Sequence, residues 1–291
     1  MKDFLGYLAL RAGVGFVGLL PLGAARGLGG WFGWCWHLSS GDRRRMAQRH
    51  MRRVLGDEAD IGAAAKAVMV SYGRYWAEAF WARPNRIPEM RRDTKVEGLD
   101  LAIAARDAGT GMIFALPHLG NWEAAAPVVV LEGIPVVAVA ERLSNQRITD
   151  WFTEMRAAFG IDIILATGGI EVMRKLETAL RDNKSLALLS DRDLKGRGVE
   201  VEFFGERTTL PPGPATLAVS TGAPLLPVAS YFENGGHRVV ITPAIPIPEA
   251  GTRSEKVQAM TQELAHRLEE LISKAPRQWH LVVPNWPSDR P

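Results

Sequence analysis

The sequence predicts an α/β fold: a mostly parallel central sheet flanked by helices, preceded by an N-terminal helical layer that faces a membrane. Three observations predict it. From Val96 onward short apolar runs alternate with amphipathic segments, the pattern of strands buried on both faces and the helices that cover them. Before Val96 the chain reads as helix. Residues 4–38 are apolar and rich in glycine, with Trp31, Trp34 and Trp36 close together, and amphipathic rings of that kind suit a membrane interface. The 291 residues, 47% hydrophobic and 23% charged, suffice for one large α/β domain with a helical addition and exclude a disordered chain. We read residues 1–291 as a single domain, helical over 1–95 and α/β over 96–291.

In chain order, Arg11, Pro21 and Arg26 interrupt the first apolar segment. Its longest uncharged stretch, Ala12 to Ala25, is shorter than the roughly 20 residues of a spanning helix. Lys2 and the small residues near Ala24 imitate a signal peptide, but the apolar character continues through Trp36, as in a retained element. Two short helices lying on the bilayer, with Pro21 and Gly23 between them, fit better; the alternative is that they simply cover the core. Asp42 is read as the cap of a basic helix, Arg43 to Leu55, which holds Arg43, Arg44, Arg45, Arg49, Arg52 and Arg53. Beside an apolar segment this helix reads as a surface for anionic lipid. With no recognised nucleic-acid motif beside it, nucleic acid is the weaker partner. Ile61 to Trp81 continues as helix, with Val68, Tyr72, Tyr75, Trp76 and Phe80 at spacings of three and four, and Arg83-Pro84 ends it.

Strands are placed at Met112 to Leu116, Pro135 to Ala140, Asp162 to Leu165, Ser185 to Leu189, Val199 to Phe203, Leu225 to Tyr231 and Arg238 to Ile241. Helices fit Leu99 to Ala108, Trp122 to Glu132, Asn145 to Phe159, Ile170 to Asp182, Pro214 to Thr221 and Ser254 to Ser273. Net charge is +3, and Cys35 is the only cysteine, so no intrachain disulfide is expected and a cytoplasmic location is the default.

The stretch Pro117 to Glu123, PHLGNWE, joins a buried strand to a helix. His118 falls in the loop and Glu123 in the first helical turn, close enough to reach back to the imidazole. A carboxylate on one ring nitrogen fixes the tautomer and frees the other to take a proton from an alcohol. The chain has no G-x-S-x-G, and Cys35 lies in the apolar N-terminal region, so the attacking hydroxyl is expected to belong to the substrate. The structural alternative is a loop histidine satisfied by a nearby acid.

Ligands of open α/β sheets collect at the carboxyl ends of the strands. There the sequence places Glu141 and Arg142, Thr167-Gly168-Gly169, and Asp191, Arg192 and Asp193, with Arg156 on a helix facing the same edge. Each also has an ordinary reading, as a surface pair, a local counter-charge or a turn ending at Lys195-Gly196. Thr167-Gly-Gly is a weak phosphate signal without the Walker lysine, and the two aspartates lack the further ligands a metal needs, so no metal is expected.

Taken with SYGRYWAE from Ser71, ERLSNQRITDWFTEMRAAFG from Glu141, SDRDL from Ser190, VEVEFFGE from Val199 and PRQWHLVVPNW ending at Trp286, PHLGNWE resembles the lysophospholipid acyltransferase superfamily in its lipid A late-acyltransferase branch. The hallmark of that family is His, four residues, then Asp or Glu. Within the branch the chain most resembles the phosphatidylinositol mannoside acyltransferases, over nearly its whole length. The resemblance implies transfer of an acyl group, typically palmitoyl, from acyl-CoA as co-substrate to a mannose hydroxyl of a phosphatidylinositol mannoside, by a peripheral enzyme at the cytoplasmic face of the membrane. It implies His118 as base, Glu123 as its partner, and Glu141, Arg156 and either Asp191 or Asp193 as site residues. Arg142 and Arg156 would suit phosphates of CoA or lipid. Backbone N–H groups near Gly120 or the Arg156 side chain are candidates for the oxyanion, and Val128, Val129, Leu131 and Val136 for the acyl groove. A hydrolase using the same dyad on water, or a catalytically silent lipid-binding protein, are the rival readings.

Overall fold

The computed structural model describes residues 2–166, 169–193 and 196–290. Four helices come first: α1 (Lys2–Leu19), α2 (Leu22–Ser39), α3 (Gly41–Leu55) and α4 (Ile61–Trp81). Pro21 separates α1 from α2, as its missing N–H and fixed φ favour at a helix start, whereas Gly23 lies inside α2. Among the described residues no helix is long and apolar enough to cross a membrane.

The glycines of α2 explain how it packs. A Cβ at Gly33 would sit 2.2 Å from the Met69 carbonyl oxygen, and one at Gly73 would sit 2.1 Å from that of Gly29, so α2 and α4 touch backbone to backbone. Many bulky residues of α1 and α2 point outward: Phe4, Leu5, Phe16, Leu19, Trp31, Phe32 and Leu38 are exposed, while Val17, Leu28 and Trp36 face the core. The two helices thus cover α4 with one face and offer an apolar surface with the other.

Helix α3 departs from the expected capping. Ser40 is the N-cap residue and gives no side-chain cap, while Asp42 lies in the first turn and pairs with Arg45. Part of its charge is structural. Arg43 donates to the Val282 carbonyl (3.1 Å), Arg49 to the Ser288 carbonyl (2.8 Å), and Arg53 to Glu206 (2.9 Å) and Asp289 (2.8 Å). These contacts tie the C-terminal segment to the N-terminal helices.

Beyond α5 (Ile87–Arg92) come β1 (Thr94–Glu97), α6 (Leu99–Asp107), β2 (Met112–Leu116), α7 (Trp122–Leu131), β3 (Val136–Ala140), α8 (Gln146–Ala157), β4 (Ile161–Leu165), α9 (Ile170–Arg181) and β5 (Ser185–Leu189). A hairpin of β6 (Val199–Phe203) and β7 (Glu206–Leu210) precedes α10 (Gly213–Thr221), β8 (Leu225–Phe232), β9 (His237–Ile241) and α11 (Arg253–Ser273). The main sheet has seven strands in the order β1-β9-β8-β2-β5-β3-β4. Strands β8, β2, β5, β3 and β4 run parallel; β9 is antiparallel to β8 and parallel to β1.

Two sequence expectations change here. Val199–Phe203 is a strand, but it pairs with β7 in a separate two-stranded sheet. The seventh strand of the main sheet is Thr94–Glu97, an edge strand of four residues too short and too charged to show an apolar run. Side chains alternate to the two faces, as strand geometry requires. Ile113, Ala115, Leu186 and Leu188 meet α9, α10 and α11 on one side; Met112, Phe114 and Leu116 meet α7 on the other.

Among the buried ionisable groups, His50 and Glu78 link this fold to pH. Burial, set against a hydrogen bond to the Val283 carbonyl, lowers the His50 pKa to about 4. Glu78 feels burial as an upward push, overcome by His237, Arg74 and Arg26, which bring it to about 2. Both groups bind protons less readily folded than unfolded, so the stability they confer is complete above the unfolded values of about 6.5 and 4.3 and is lost as pH falls. Thermal stability is therefore expected to fall progressively below about pH 6.5 through His50 and further below about pH 4.3 through Glu78, by a few kcal/mol in all. A melting temperature that stays constant from pH 7 to pH 4 would contradict this.

Candidate active site

Neighbouring strands with non-neighbouring numbers create the site. Because β2 pairs with β5 along its full length, the loop after Leu116 and the loop after Leu189 leave the sheet side by side. The first carries His118 and the second Asp191. The imidazole Nδ1 lies 2.6 Å from Asp191 Oδ1, and the His118 backbone N–H donates to Asp191 Oδ2 (2.9 Å). Since an ionised carboxylate can only accept, Nδ1 carries the proton and Nε2 is left as the basic nitrogen.

Asp191 is fully buried. Burial pushes its pKa up, but the facing imidazole and the hydrogen bonds from His118 and Trp279 hold it below the usual carboxylate value. It therefore stays ionised.

Glu123 is placed differently from the sequence expectation. Its carboxylate is gripped by the Arg156 guanidinium, with Nε 3.2 Å from Oε1 and 3.1 Å from Oε2 and Nη2 in a closer contact to Oε1. Asp191, not Glu123, is the partner on the ring. Tyr75 lies 3.5 Å from Glu123, and burial followed by the Glu123 charge drives the phenol pKa well above its ordinary value. The helix start at Asn121 puts Glu123 in the first turn of α7, as the sequence predicts; it is Arg156 that claims its carboxylate.

The loop itself is held from several sides. Gly120 has φ near +60°, and a Cβ there would lie 1.9 Å from the Ser230 carbonyl oxygen, so only glycine fits. Asn121 caps α7 by accepting from the Ala124 N–H (3.1 Å) and donates to Glu78 (2.8 Å), which also accepts from His237, Arg26 and Arg74. Beside the loop, burial lowers the His280 pKa to about 3, so that ring stays neutral.

A cavity of about 590 Å³ opens at this edge, within the range of small-molecule sites. His118, Glu123, Glu141, Arg156, Arg192 and Asp193 supply its polar lining. Phe114, Leu116, Ala138, Ala187, Val228 and Ile241 give it an apolar floor on the α7 side of the sheet. The two threonine hydroxyls that line it are committed: Thr149 accepts from the Leu143 N–H (3.1 Å), and Thr153 donates to the Thr149 carbonyl (3.0 Å); Tyr72 and Tyr75 of α4 line it as well, the latter with its hydroxyl 3.5 Å from Glu123. Among the described residues, no serine or cysteine lines the cavity.

The other sequence candidates divide. Glu141 is at the cavity and pairs with Arg192 (2.8 Å), which lies there too. Arg142 is exposed, bonds Gln146 (2.9 Å) and is not among the lining residues. Asp193 lines the cavity and accepts from the Gly198 N–H (2.6 Å) and Thr209 (2.9 Å). The Gly120 N–H, considered for an oxyanion, already donates to the Gln278 carbonyl (3.0 Å), and Arg156 is committed to Glu123. Val129 and Val136 line the cavity, while Val128 does not and Leu131 is exposed. The Thr167-Gly168 signal and Lys195 lie outside the described residues. No group of three or more His, Cys, Asp or Glu among the described residues converges as a metal site would.

Comparison with known proteins adds a family relationship. The profile of the family described as bacterial lipid A biosynthesis acyltransferase matches residues 2–288. A phosphatidylinositol mannoside acyltransferase of Mycolicibacterium smegmatis is 39% identical over 250 residues, covering 83% of this chain and 79% of the relative. One of Mycobacterium tuberculosis is 39% identical over 255 residues, covering 83% and 77%.

The Glu123 pair carries an expectation of its own. Replacing Arg156 by Ala leaves a largely buried carboxylate without its counter-charge and is expected to destabilise the fold by about 3 kcal/mol in denaturant titration. Adding Glu123→Gln should restore part of that loss; additive losses would show that the two side chains do not act as a pair.

Proposed function

Since the chain belongs to the bacterial lipid A biosynthesis acyltransferase family, and is an acyltransferase of the lipid A and phosphatidylinositol mannoside type, we propose that it moves a long-chain acyl group, palmitoyl in the first instance, from acyl-CoA to a mannose hydroxyl of a phosphatidylinositol mannoside. One observation carries the reading: a histidine oriented by a buried aspartate lines a largely apolar cavity whose described lining offers no serine or cysteine nucleophile.

His118 Nε2 takes the proton of the acceptor hydroxyl as its oxygen attacks the thioester carbonyl. Asp191 stabilises the imidazolium that forms and keeps the ring from turning. When the tetrahedral intermediate collapses, the C–S bond breaks and the proton on Nε2 passes to the departing thiolate, which returns the ring to its starting state. The apolar arm of the cavity takes the acyl chain and fixes the carbonyl near the base, so that proximity contributes alongside proton transfer. Glu123 and Arg156 brace the start of α7, and Arg192 with Glu141 supplies charge at the rim.

The exposed aromatic and aliphatic face of α1 and α2, next to Arg43, Arg45, Arg49 and Arg52 on α3, supports a peripheral position at the cytoplasmic face of the membrane. Apolar area and positive charge then act together on an anionic surface.

The chemistry is tested by incubating the protein with labelled palmitoyl-CoA, with and without the mannoside. Label is expected to pass to the glycolipid, and to fall by about 10² to 10⁴-fold in His118→Ala and in Asp191→Asn while both variants still fold. Undiminished transfer by either variant, or free fatty acid as the sole product, would overturn the reading. For the membrane position, sedimentation with anionic vesicles is expected to weaken as salt rises and to drop in a Trp31→Ala, Phe32→Ala double variant. Equal binding to neutral vesicles would contradict the electrostatic share.

A further inference from the structure

The segment Gln278 to His280, in the chain that follows α11, lies across the catalytic loop like one more short strand. Leu119 and Trp279 form an antiparallel bridge, the Gly120 N–H donates to the Gln278 carbonyl (3.0 Å), and the His280 N–H donates to the His118 carbonyl (2.7 Å). The Gln278 side-chain amide fastens the other side of the strap by accepting from the Phe232 N–H (2.7 Å) and donating to the Phe232 carbonyl (3.1 Å). Between these contacts the Trp279 indole N–H reaches past the loop to Asp191 Oδ2, at 2.7 Å.

We propose that Trp279 is a positioning residue: its indole N–H holds the Asp191 carboxylate in the rotation that aims Oδ1 at His118 Nδ1. This rests on the reading of His118 as the base. The carboxylate has two oxygens and three donors. Oδ1 takes the imidazole, while Oδ2 takes the His118 backbone N–H and the indole. A carboxylate turns about the bond that carries it, and a single backbone donor on Oδ2 resists that turn less than two donors approaching from different elements. The Asn285 side chain completes the clamp by donating to the Asp191 backbone carbonyl (3.1 Å). Trp279 touches neither substrate nor the reacting atoms in this scheme, because it acts through Asp191.

A tryptophan this deeply buried also packs, and that role has to be separated from the hydrogen bond. Trp286 provides the control. It is as buried as Trp279, belongs to the same cluster with Phe203 and His50, and donates its indole N–H to the Phe203 carbonyl (3.1 Å) instead of to an acid. Loss of ring volume is common to Trp279→Phe and Trp286→Phe, whereas loss of a donor to Asp191 belongs to the first alone. Replacing Trp279 by β-(3-benzothienyl)alanine, an indole isostere with sulfur in place of the N–H, deletes the donor at nearly constant shape and guards against misfolding of the phenylalanine variant.

Steady-state transfer from palmitoyl-CoA to the mannoside and the proton resonance of His118 Nδ1–H in the resting protein together test the proposal. In both Trp279 variants kcat is expected to fall about ten- to a hundredfold with KM within about twofold, the pattern of a lost orienting contact behind a catalytic group. The Nδ1–H resonance is expected to move from its wild-type position in the same variants. Trp286→Phe should lower the melting temperature and leave both readouts unchanged. An unchanged kcat and resonance in the benzothienyl variant, or equal effects in Trp279→Phe and Trp286→Phe, would overturn the proposal. If the wild-type protein transfers no acyl group while the resonance still moves in the Trp279 variants, the positioning contact stands and the transferase reading fails.

Discussion

A buried carboxylate that must stay ionised governs the arrangement of this site. Asp191 is sealed from bulk solvent, and desolvation of a charge is expensive unless donors replace the solvent. It obtains three, and two of them belong to His118. The requirement that keeps the charge tolerable is therefore the same one that fixes the imidazole, its tautomer and its loop. Stability and chemistry share one set of hydrogen bonds here.

That set depends on strand order. Asp191 stands 73 residues from His118 in sequence and becomes its neighbour only because β5 inserts between β2 and β3. The acid of the His, four residues, Glu pattern does a different job. Glu123 is paired with Arg156 of α8 and so joins α7 to α8 beside the cavity. Behind it, Glu78 collects Arg26 from α2, Arg74 from α4, His237 from β9 and Asn121 at the start of α7. Two ionic clusters thus hold the first turn of α7, one from each side, and leave the imidazole to Asp191.

Much of this was legible in the residues. The apolar runs at Met112–Leu116 and Ser185–Leu189, the helix start at Asn121 and the strand-to-helix loop that carries His118 all follow from local patterns that the structure retains. Asp191 was legible as one of two aspartates at a strand end, but choosing between them needed the β2 and β5 pairing, which no local pattern encodes. Glu123 misled because proximity along a helix was visible, whereas choosing it as the acid that Arg156, 33 residues on at the same edge, would neutralise needed the packing of α8 beside α7. Trp279 lay within a segment that carries the resemblance, but its contact with Asp191 was not legible, since an aromatic residue beside an apolar stretch reads as core. The short charged edge strand Thr94–Glu97 was invisible because its pairing supplies what its side chains lack.

The cavity connects these parts to the reaction. Its apolar floor lies on the α7 face of the sheet, its polar lining contains the oriented histidine, and its threonine hydroxyls are tied into local hydrogen bonds. The account therefore requires the acyl group to move straight from thioester to acceptor, with the imidazole handling only the proton. Acid quenching of the protein after incubation with labelled palmitoyl-CoA in the absence of glycolipid tests this most directly. The account expects no label covalently retained on the denatured chain at any time point, and label fixed to any side chain would contradict it.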